Sequence, residues 1–223
     1  MDYVTGDIHG CFDKFMKLLK KIKFSEKDNL YIIGDVIDRG PKPIETLQYI
    51  MKQPNIYMTL GNHEDMMLIY LNEPDDFNKR IWFQNGGNIT YDSFIELNEI
   101  DRKEIVKYLS ELPLYFIKNK KILVHAGIEP LKIDTTKSIE ENMKLQTKDD
   151  LVWIRDEFIF SKTNLSSHIV IFGHTPVIHI NGRIPMKIWH DKDKIGIDCG
   201  AVFSFYDGKL ACIRLDDMKE FYI

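Results

Sequence analysis

Apolar residues in the first third of this sequence form short runs separated by longer segments with helical spacing. Each short run stops at or beside a glycine, as buried strands often do. The intervening segments repeat their apolar residues every three or four positions, which is typical of amphipathic helices. The pattern predicts strands at 3–5, 30–33 and 56–60, and helices at 11–22, 41–52 and 62–72.

The remainder of the chain changes from helix-rich to strand-rich. Residues 76–112 read as helical with a turn at 82–87, residues 114–124 read as a hairpin, and residues 136–160 read as partly helical. Further strands are predicted at 169–172, 177–180, 194–197, 201–203 and 209–213. Helices alternating with strands and then hairpins indicate an α/β fold of layered mixed β-sheets flanked by helices. With no repeat and no linker-like segment, residues 1–223 are expected to form a single domain.

Composition narrows the classes of partner. The 223 residues include 44% apolar and 29% charged residues, and 30 basic against 34 acidic residues give a net charge of −4. This charge balance argues against a polymeric nucleic acid as partner, because a protein that binds DNA or RNA needs an excess of basic residues. No apolar run reaches the roughly 18 residues of a membrane span, and no secretory signal is recognisable. Three cysteines without CxxC spacing suit a reducing compartment, so the expectation is a cytoplasmic protein of undetermined oligomeric state.

Polar side chains follow five of the predicted strands where each strand ends. Because ligand sites of open α/β sheets form at the carboxyl ends of strands, these side chains are expected to converge. Flanking glycines allow the backbone to turn sharply and approach an ion. The segments are GDIHG at 6–10, GDVIDRG at 34–40, GNHE at 61–64, HAG at 125–127 and GHTP at 173–176.

The side chains in these segments suit a metal site. Carboxylate, imidazole and amide donors without thiolate favour manganese, iron or zinc. Six donors exceed the three of a typical one-ion catalytic site, so two divalent ions sharing a carboxylate would use them well. Arg39 adds a guanidinium fork that matches phosphate oxygens. The six donors are Asp7, His9, Asp35, Asn62, His125 and His174.

In this order and at these spacings, the segments resemble the metallophosphoesterase superfamily with its calcineurin-like fold. Within it they resemble the phosphoprotein phosphatases, and in particular the small bacterial and phage type to which bacteriophage lambda phosphatase belongs. The resemblance implies that Asp7, His9 and Asp35 hold a first metal ion. It also implies that Asp35 bridges to a second ion completed by Asn62, His125 and His174. Manganese is the usual activator of the bacterial type, with iron or zinc as alternatives.

The resemblance also assigns roles around the metals. His63 would protonate the leaving oxygen while a metal-activated hydroxide attacks phosphorus in line, and Asp38 would orient that imidazole. Arg39 and Arg155 would bind phosphate oxygens. The roles of Cys11, Tyr206 and the 82–87 segment stay open.

Three functions are compatible with these residues. The leading interpretation is a protein serine/threonine phosphatase that takes phosphoprotein or phosphopeptide substrates, with activity on phosphotyrosine left open. The alternative is a diadenosine tetraphosphate-type nucleotide hydrolase. Leu60 favours this alternative because the protein phosphatases carry arginine before GNHE. Glu64 opposes it because those hydrolases usually carry aspartate there, and Arg155 and the likeness to the small phage type also oppose it. The third interpretation, a catalytically silent binding module, predicts a broken donor set, and here all six donors are present.

Overall fold

The computed structural model describes residues 1–165 and 168–223 and contains two five-stranded sheets. The first sheet has the order β10-β9-β1-β2-β3. Strands β1, β2 and β3 run parallel, with β3 at one edge, and β9 and β10 continue the sheet antiparallel on the other side of β1. The bounds are β1 Asp2–Thr5, β2 Asn29–Ile32, β3 Ile56–Met58, β9 Ala211–Arg214 and β10 Lys219–Tyr222.

The second sheet has the order β4-β5-β6-β8-β7. A hairpin joins antiparallel β4 and β5, and β5, β6 and β8 run parallel. The carboxyl ends of β5 and β6 therefore lie on the same edge of this sheet. The bounds are β4 Tyr115–Lys118, β5 Lys121–Val124, β6 Ile169–Phe172, β7 Trp189–His190 and β8 Lys194–Gly196.

A shared hydrophobic core joins the two sheets. Val4 and Tyr31 of the first sheet are buried in one cluster with Leu123 and Ile171 of the second, so the sheets form a sandwich. A second cluster lies between the first sheet and the amino-terminal helices, and a third joins the second sheet to shorter helices. The helices are α1 Phe12–Ile22, α2 Pro43–Met51, α3 Asn62–Asn72, α4 Asp76–Gln84, α5 Asn88–Ile95, α6 Glu99–Ser110, α7 Ile139–Lys144, α8 Lys148–Val152, α9 Asp156–Ile159 and α10 Val177–Asn181.

The predicted layered α/β fold is confirmed, as are the strand–helix alternation of the first third and the hairpin at 114–124. The single-domain organisation stays a prediction. No helix in the described part of the chain is both long and apolar enough to cross a membrane.

Two predicted strands are wrong. Residues 177–180 lie in α10, because a short apolar run fits helix or strand equally and the flanking residues decide. Pro176 precedes the first turn, and Gly182 ends the helix in the left-handed conformation (φ 66°). Residues 201–203 form a turn closed by the bond from Phe203 N to Gly200 O, with Gly200 at φ 68°. Strands β7 and β10 were not predicted from the sequence.

Candidate active site

The loops after β1, β2, β3, β5 and β6 bring the five polar segments together. The amide of His63 donates to Asp35 Oδ1 at 3.0 Å, and the amide of His174 donates to both Asp7 oxygens at 3.1 Å. These three hydrogen bonds join residues that are 28 and 167 positions apart in the chain. All ten predicted site residues except Arg39 and Arg155 are buried.

Backbone strain is concentrated in these loops. His9, Asp35, Asp38, Arg39 and His174 all have φ between 46° and 69°, a region that costs side-chain-bearing residues energy. Five such residues in one site indicate that the surrounding packing holds the loops in place for function.

Glu64 organises the loop that carries Asp35. Its Oε1 accepts from the amides of Val36 and Ile37 at 2.9 and 3.2 Å. Its Oε2 accepts from the amides of Asp35 and Gly61 at 2.9 and 3.1 Å. The fully buried carboxylate therefore ties the β2 loop to the amino terminus of α3. Glu64, at the position where the nucleotide hydrolases usually carry aspartate, therefore has a structural role.

One group of donors consists of Asp35, Asn62, His125 and His174. Because His125 Nδ1 donates to Ile33 O at 2.8 Å and burial lowers the pKa of His125 to about 3, its Nε2 carries a lone pair. That nitrogen is 2.9 Å from Asn62 Oδ1 and 3.4 Å from Asp35 Oδ1, two oxygens that carry lone pairs and no hydrogen. His174 Nδ1 is 2.8 Å from the same Asn62 oxygen. Lone pairs that face one another at these distances fit a shared cation.

A second group of possible ligand atoms comes from His9, Asp35 and His63. His9 Nδ1 donates to Ile37 O at 2.9 Å, so the lone pair of its Nε2 lies 3.7 Å from Asp35 Oδ2 and accepts from Arg39 Nη1 at 2.6 Å. A metal ion at Nε2 would compete with Arg39 for that lone pair. Asp35 belongs to both groups, which fits the bridging carboxylate predicted from the sequence.

Asp7 lies beside these groups but is a member of neither. Burial, with Asp198 and Asp35 nearby, raises the pKa of Asp7 well above its usual range. A cation close to these carboxylates would reverse that shift. The assignment of Asp7 as a ligand of the first ion stays a prediction.

His63 and Asp38 form a buried pair, and residues of α4 and α5 donate hydrogen bonds to Asp38. His63 Nδ1 donates to Asp38 Oδ2 at 2.6 Å. Trp82 Nε1 donates to the same oxygen at 2.8 Å, and the Thr90 hydroxyl donates to Asp38 Oδ1 at 2.5 Å. Burial and the two site arginines lower the pKa of His63, whereas the Asp38 carboxylate favours the protonated ring.

Replacing Thr90 with valine tests this support, because valine keeps the shape and removes the hydroxyl. We expect the kcat of the phosphoester hydrolysis that the sequence predicts to fall by roughly tenfold. We expect the free energy of unfolding to fall by about 1–3 kcal/mol. Steady-state kinetics and urea unfolding measure both effects. Thr90→Ser, which retains the hydroxyl, should restore kcat, and an unchanged kcat in folded Thr90→Val would refute the role.

Two arginines adjoin the site. Arg39 Nε donates to Asn85 O at 3.3 Å, so the 82–87 segment positions this guanidinium. Arg155 Nη1 donates to His174 O at 3.1 Å and to Thr175 Oγ1 at 3.0 Å. Both are partly exposed and could bind phosphate oxygens. No equivalent cation occupies position 60, where Leu60 is 6% exposed and packs as a core residue.

The chemistry of Cys11 differs from that of a nucleophile. Burial raises the pKa of its thiol, which disfavours the reactive thiolate. Tyr206 belongs to a short 3₁₀ turn, Ser204–Tyr206, and its role stays open.

The family model described as "Calcineurin-like phosphoesterase" matches residues 3–199. The chain belongs to the calcineurin-like phosphoesterase family. It is therefore a hydrolase of the phosphoesterase class, and the family is dinuclear and metal-dependent. The two donor groups that share Asp35 are the candidate metal sites of this phosphoesterase.

Named relatives refine this picture. Bis(5'-nucleosyl)-tetraphosphatase PrpE (asymmetrical) of Halalkalibacterium halodurans is 27% identical over 97% of this chain and 90% of its own length. The symmetrical bis(5'-nucleosyl)-tetraphosphatase of Buchnera aphidicola is 36% identical over 57% of this chain, an alignment that spans only 44% of that relative. A provisionally assigned diadenosine tetraphosphatase superposes with a TM-score of 0.70 at 19% identity, covering all of this chain and 92% of its own, and shows the fold.

These relatives correct the leading sequence interpretation. The predicted protein serine/threonine phosphatase activity is wrong, and so is the phosphoprotein or phosphopeptide partner, because the curated relatives are named for dinucleoside tetraphosphates. The comparisons support the superfamily and do not extend to the phage type. Of the two positions weighed in the sequence, Leu60 pointed towards the alternative function and Glu64 away from it.

Proposed function

We propose that this phosphoesterase hydrolyses dinucleoside polyphosphates, with bis(5'-nucleosyl) tetraphosphates as its substrate class. The observation that carries the proposal is the likeness to a bis(5'-nucleosyl)-tetraphosphatase over almost the whole of both chains. The buried Leu60 at a position where the protein phosphatases carry a phosphate-binding arginine supports it.

The residues of the chain divide the work as follows. Asp7, His9 and Asp35 would hold one divalent ion, and Asp35, Asn62, His125 and His174 the other. When bound, two such ions supply Lewis acidity and lower the pKa of an attacking water molecule. Arg39 and Arg155 bind oxygens of the polyphosphate chain and offset the charge that develops there.

His63 supplies the proton. Its Nδ1 is held by Asp38, so its Nε2 is the atom from which a proton can reach the departing phosphate oxygen. Asp38 in turn is fixed by Trp82 and Thr90, which prevents the imidazole from rotating away. The product is a pair of nucleotides, and neither a cysteine nor a serine nucleophile is required.

A product assay tests the proposal. Protein stripped of metal and reloaded with Mn²⁺ is incubated with diadenosine tetraphosphate and, separately, with a phosphoserine peptide. We expect cleavage of the dinucleotide and little phosphate release from the peptide, with the chelated protein as the inactive control. Chromatography distinguishes two molecules of ADP, from symmetrical cleavage, from ATP plus AMP. Turnover of the peptide without cleavage of the dinucleotide would refute the proposal.

A further inference from the structure

A cavity of about 420 Å³ lies beside the candidate metal sites, bounded by α3, α4 and the α8 segment. This volume falls in the roughly 300–1,000 Å³ range of small-molecule sites. Its walls are mainly apolar, with polar groups contributed from α3, α4 and α8. The lining residues used below are Asp65, Met66, Ile69, Ile81, Lys148 and Trp153.

Trp153 is an aromatic wall of this cavity that is held in place and still open to solvent. Its Nε1 donates to Asp65 Oδ2 at 3.4 Å, and Lys148 Nζ pairs with Asp65 Oδ1 at 2.7 Å. The charge of the buried Asp65 carboxylate is thus balanced. The indole remains 36% exposed. An anchored and accessible ring of this kind is suited to binding a flat aromatic group.

The cavity adjoins the phosphate-binding part of the site through the contact between its lining residue Trp153 and His174. The rings of Trp153 and His174 meet edge to face with centroids 6.3 Å apart. Arg155, two residues after Trp153, donates to the carbonyl of the same His174 at 3.1 Å. A phosphate-binding cation and an aromatic platform therefore flank one candidate metal ligand.

We propose that this cavity binds one nucleoside of the dinucleotide substrate, with its base stacked against the indole of Trp153. The inference rests on the proposed function and adds the site that recognises the non-reacting end of the substrate. The apolar side chains of Met66, Ile69 and Ile81 suit a base, whereas the polyphosphate is bound by the adjacent arginines and metal ligands. Stacking tolerates any base, so the cavity selects for a nucleoside rather than for a particular base.

Substitution of Trp153 tests the proposal with two substrates. In Trp153→Ala we expect the KM for diadenosine tetraphosphate to rise by about tenfold, since stacking on an aromatic ring contributes binding energy of this order. We expect kcat to change little, because the lost contact is the same in the ground and transition states. Inorganic tripolyphosphate, which has no base, should keep its kcat/KM. Trp153→Phe should retain most of the affinity for the dinucleotide.

A second variant and a control separate this effect from misfolding. Ile69→Glu places a charge at a residue of the cavity that is 38% exposed. It should also raise the KM for the dinucleotide and leave the kcat/KM for tripolyphosphate unchanged. Phe160→Ala removes an aromatic side chain that is 70% exposed outside the cavity and should behave as wild type. Equal losses of kcat/KM on both substrates would refute the nucleoside site. An unchanged KM for the dinucleotide in both cavity variants, while the wild type cleaves it, would also refute that site and leave the proposed function standing. A wild type that leaves the dinucleotide intact would instead refute the proposed function.

Discussion

Replacing Asp35 with asparagine is expected to lower turnover of the dinucleotide by at least roughly 10³-fold, the effect of losing several kcal/mol of metal-assisted charge stabilisation. Asp35 is the residue common to both donor groups. Its Oδ1 is 3.4 Å from His125 Nε2, and its Oδ2 is 3.7 Å from His9 Nε2. Asparagine offers one acceptor oxygen in place of two, so it cannot serve both groups. Elemental analysis should find fewer than two ions per chain.

The same substitution should not destabilise the metal-free protein. Burial, with Glu64 close by, raises the pKa of Asp35 well above its usual range, so an ionised carboxylate there opposes folding when no cation is bound. Neutral asparagine removes that cost and can still accept from the His63 amide. The thermal midpoint of metal-free Asp35→Asn should therefore equal or exceed that of wild type. Asp13→Asn, the same change on a side chain that is 71% exposed, is the matched control and should retain activity. Two bound ions with wild-type turnover in Asp35→Asn would contradict the bridging role.

The convergence of the polar segments could be predicted from the sequence because it depends on local information. Each segment directly follows a strand-like run, and parallel strands place their carboxyl ends at one edge. The structure does bring Asp35 within hydrogen-bonding range of His63 and near His125. Short apolar runs carry less information, which is why residues 177–180 were assigned to a strand although they form α10.

The support for Asp38 could not be predicted in this way. Thr90 lies 52 residues away in the chain and Trp82 lies 44 residues away, and both sit in helices whose direction depends on tertiary packing. A buried threonine in a helix gives no local sign of its partner. Only the Trp82 segment gave a signal, through its turn residues Asn85 and Gly86, and its role was left open.

The substrate class was the property hardest to predict from the sequence, for a related physical reason. The residues that resemble the family act on phosphorus and on metal ions, and this chemistry is the same whether the leaving group belongs to a protein or to a nucleotide. They therefore identify the reaction rather than the substrate. Specificity depends on surfaces beside the reacting atoms, such as position 60 and the cavity around Trp153, which the motifs do not include.

Replacing His63 with asparagine is expected to lower turnover of the dinucleotide by roughly 10²-fold, near the lower end of what a general acid contributes. The lower end applies because a departing nucleotide phosphate is a weaker base than an alkoxide and needs less protonation. Among aryl phosphates, the variant should therefore lose more activity on phenyl phosphate than on p-nitrophenyl phosphate, whose leaving group departs more easily. His179→Asn, the same change at an exposed position, should match wild type on all of these substrates.

Metal content decides between the two roles that the geometry permits for His63. Its Nδ1 is committed to Asp38 at 2.6 Å, whereas its Nε2 lies 3.8 Å from Asp35 Oδ2, within one of the two candidate donor groups. As a general acid, His63 can be replaced without loss of bound metal, and the activity lost depends on the leaving group. As a metal ligand, its replacement removes an ion and lowers activity on every substrate alike. We expect two bound ions per chain in His63→Asn. A single bound ion would show that His63 is a metal ligand rather than the proton donor.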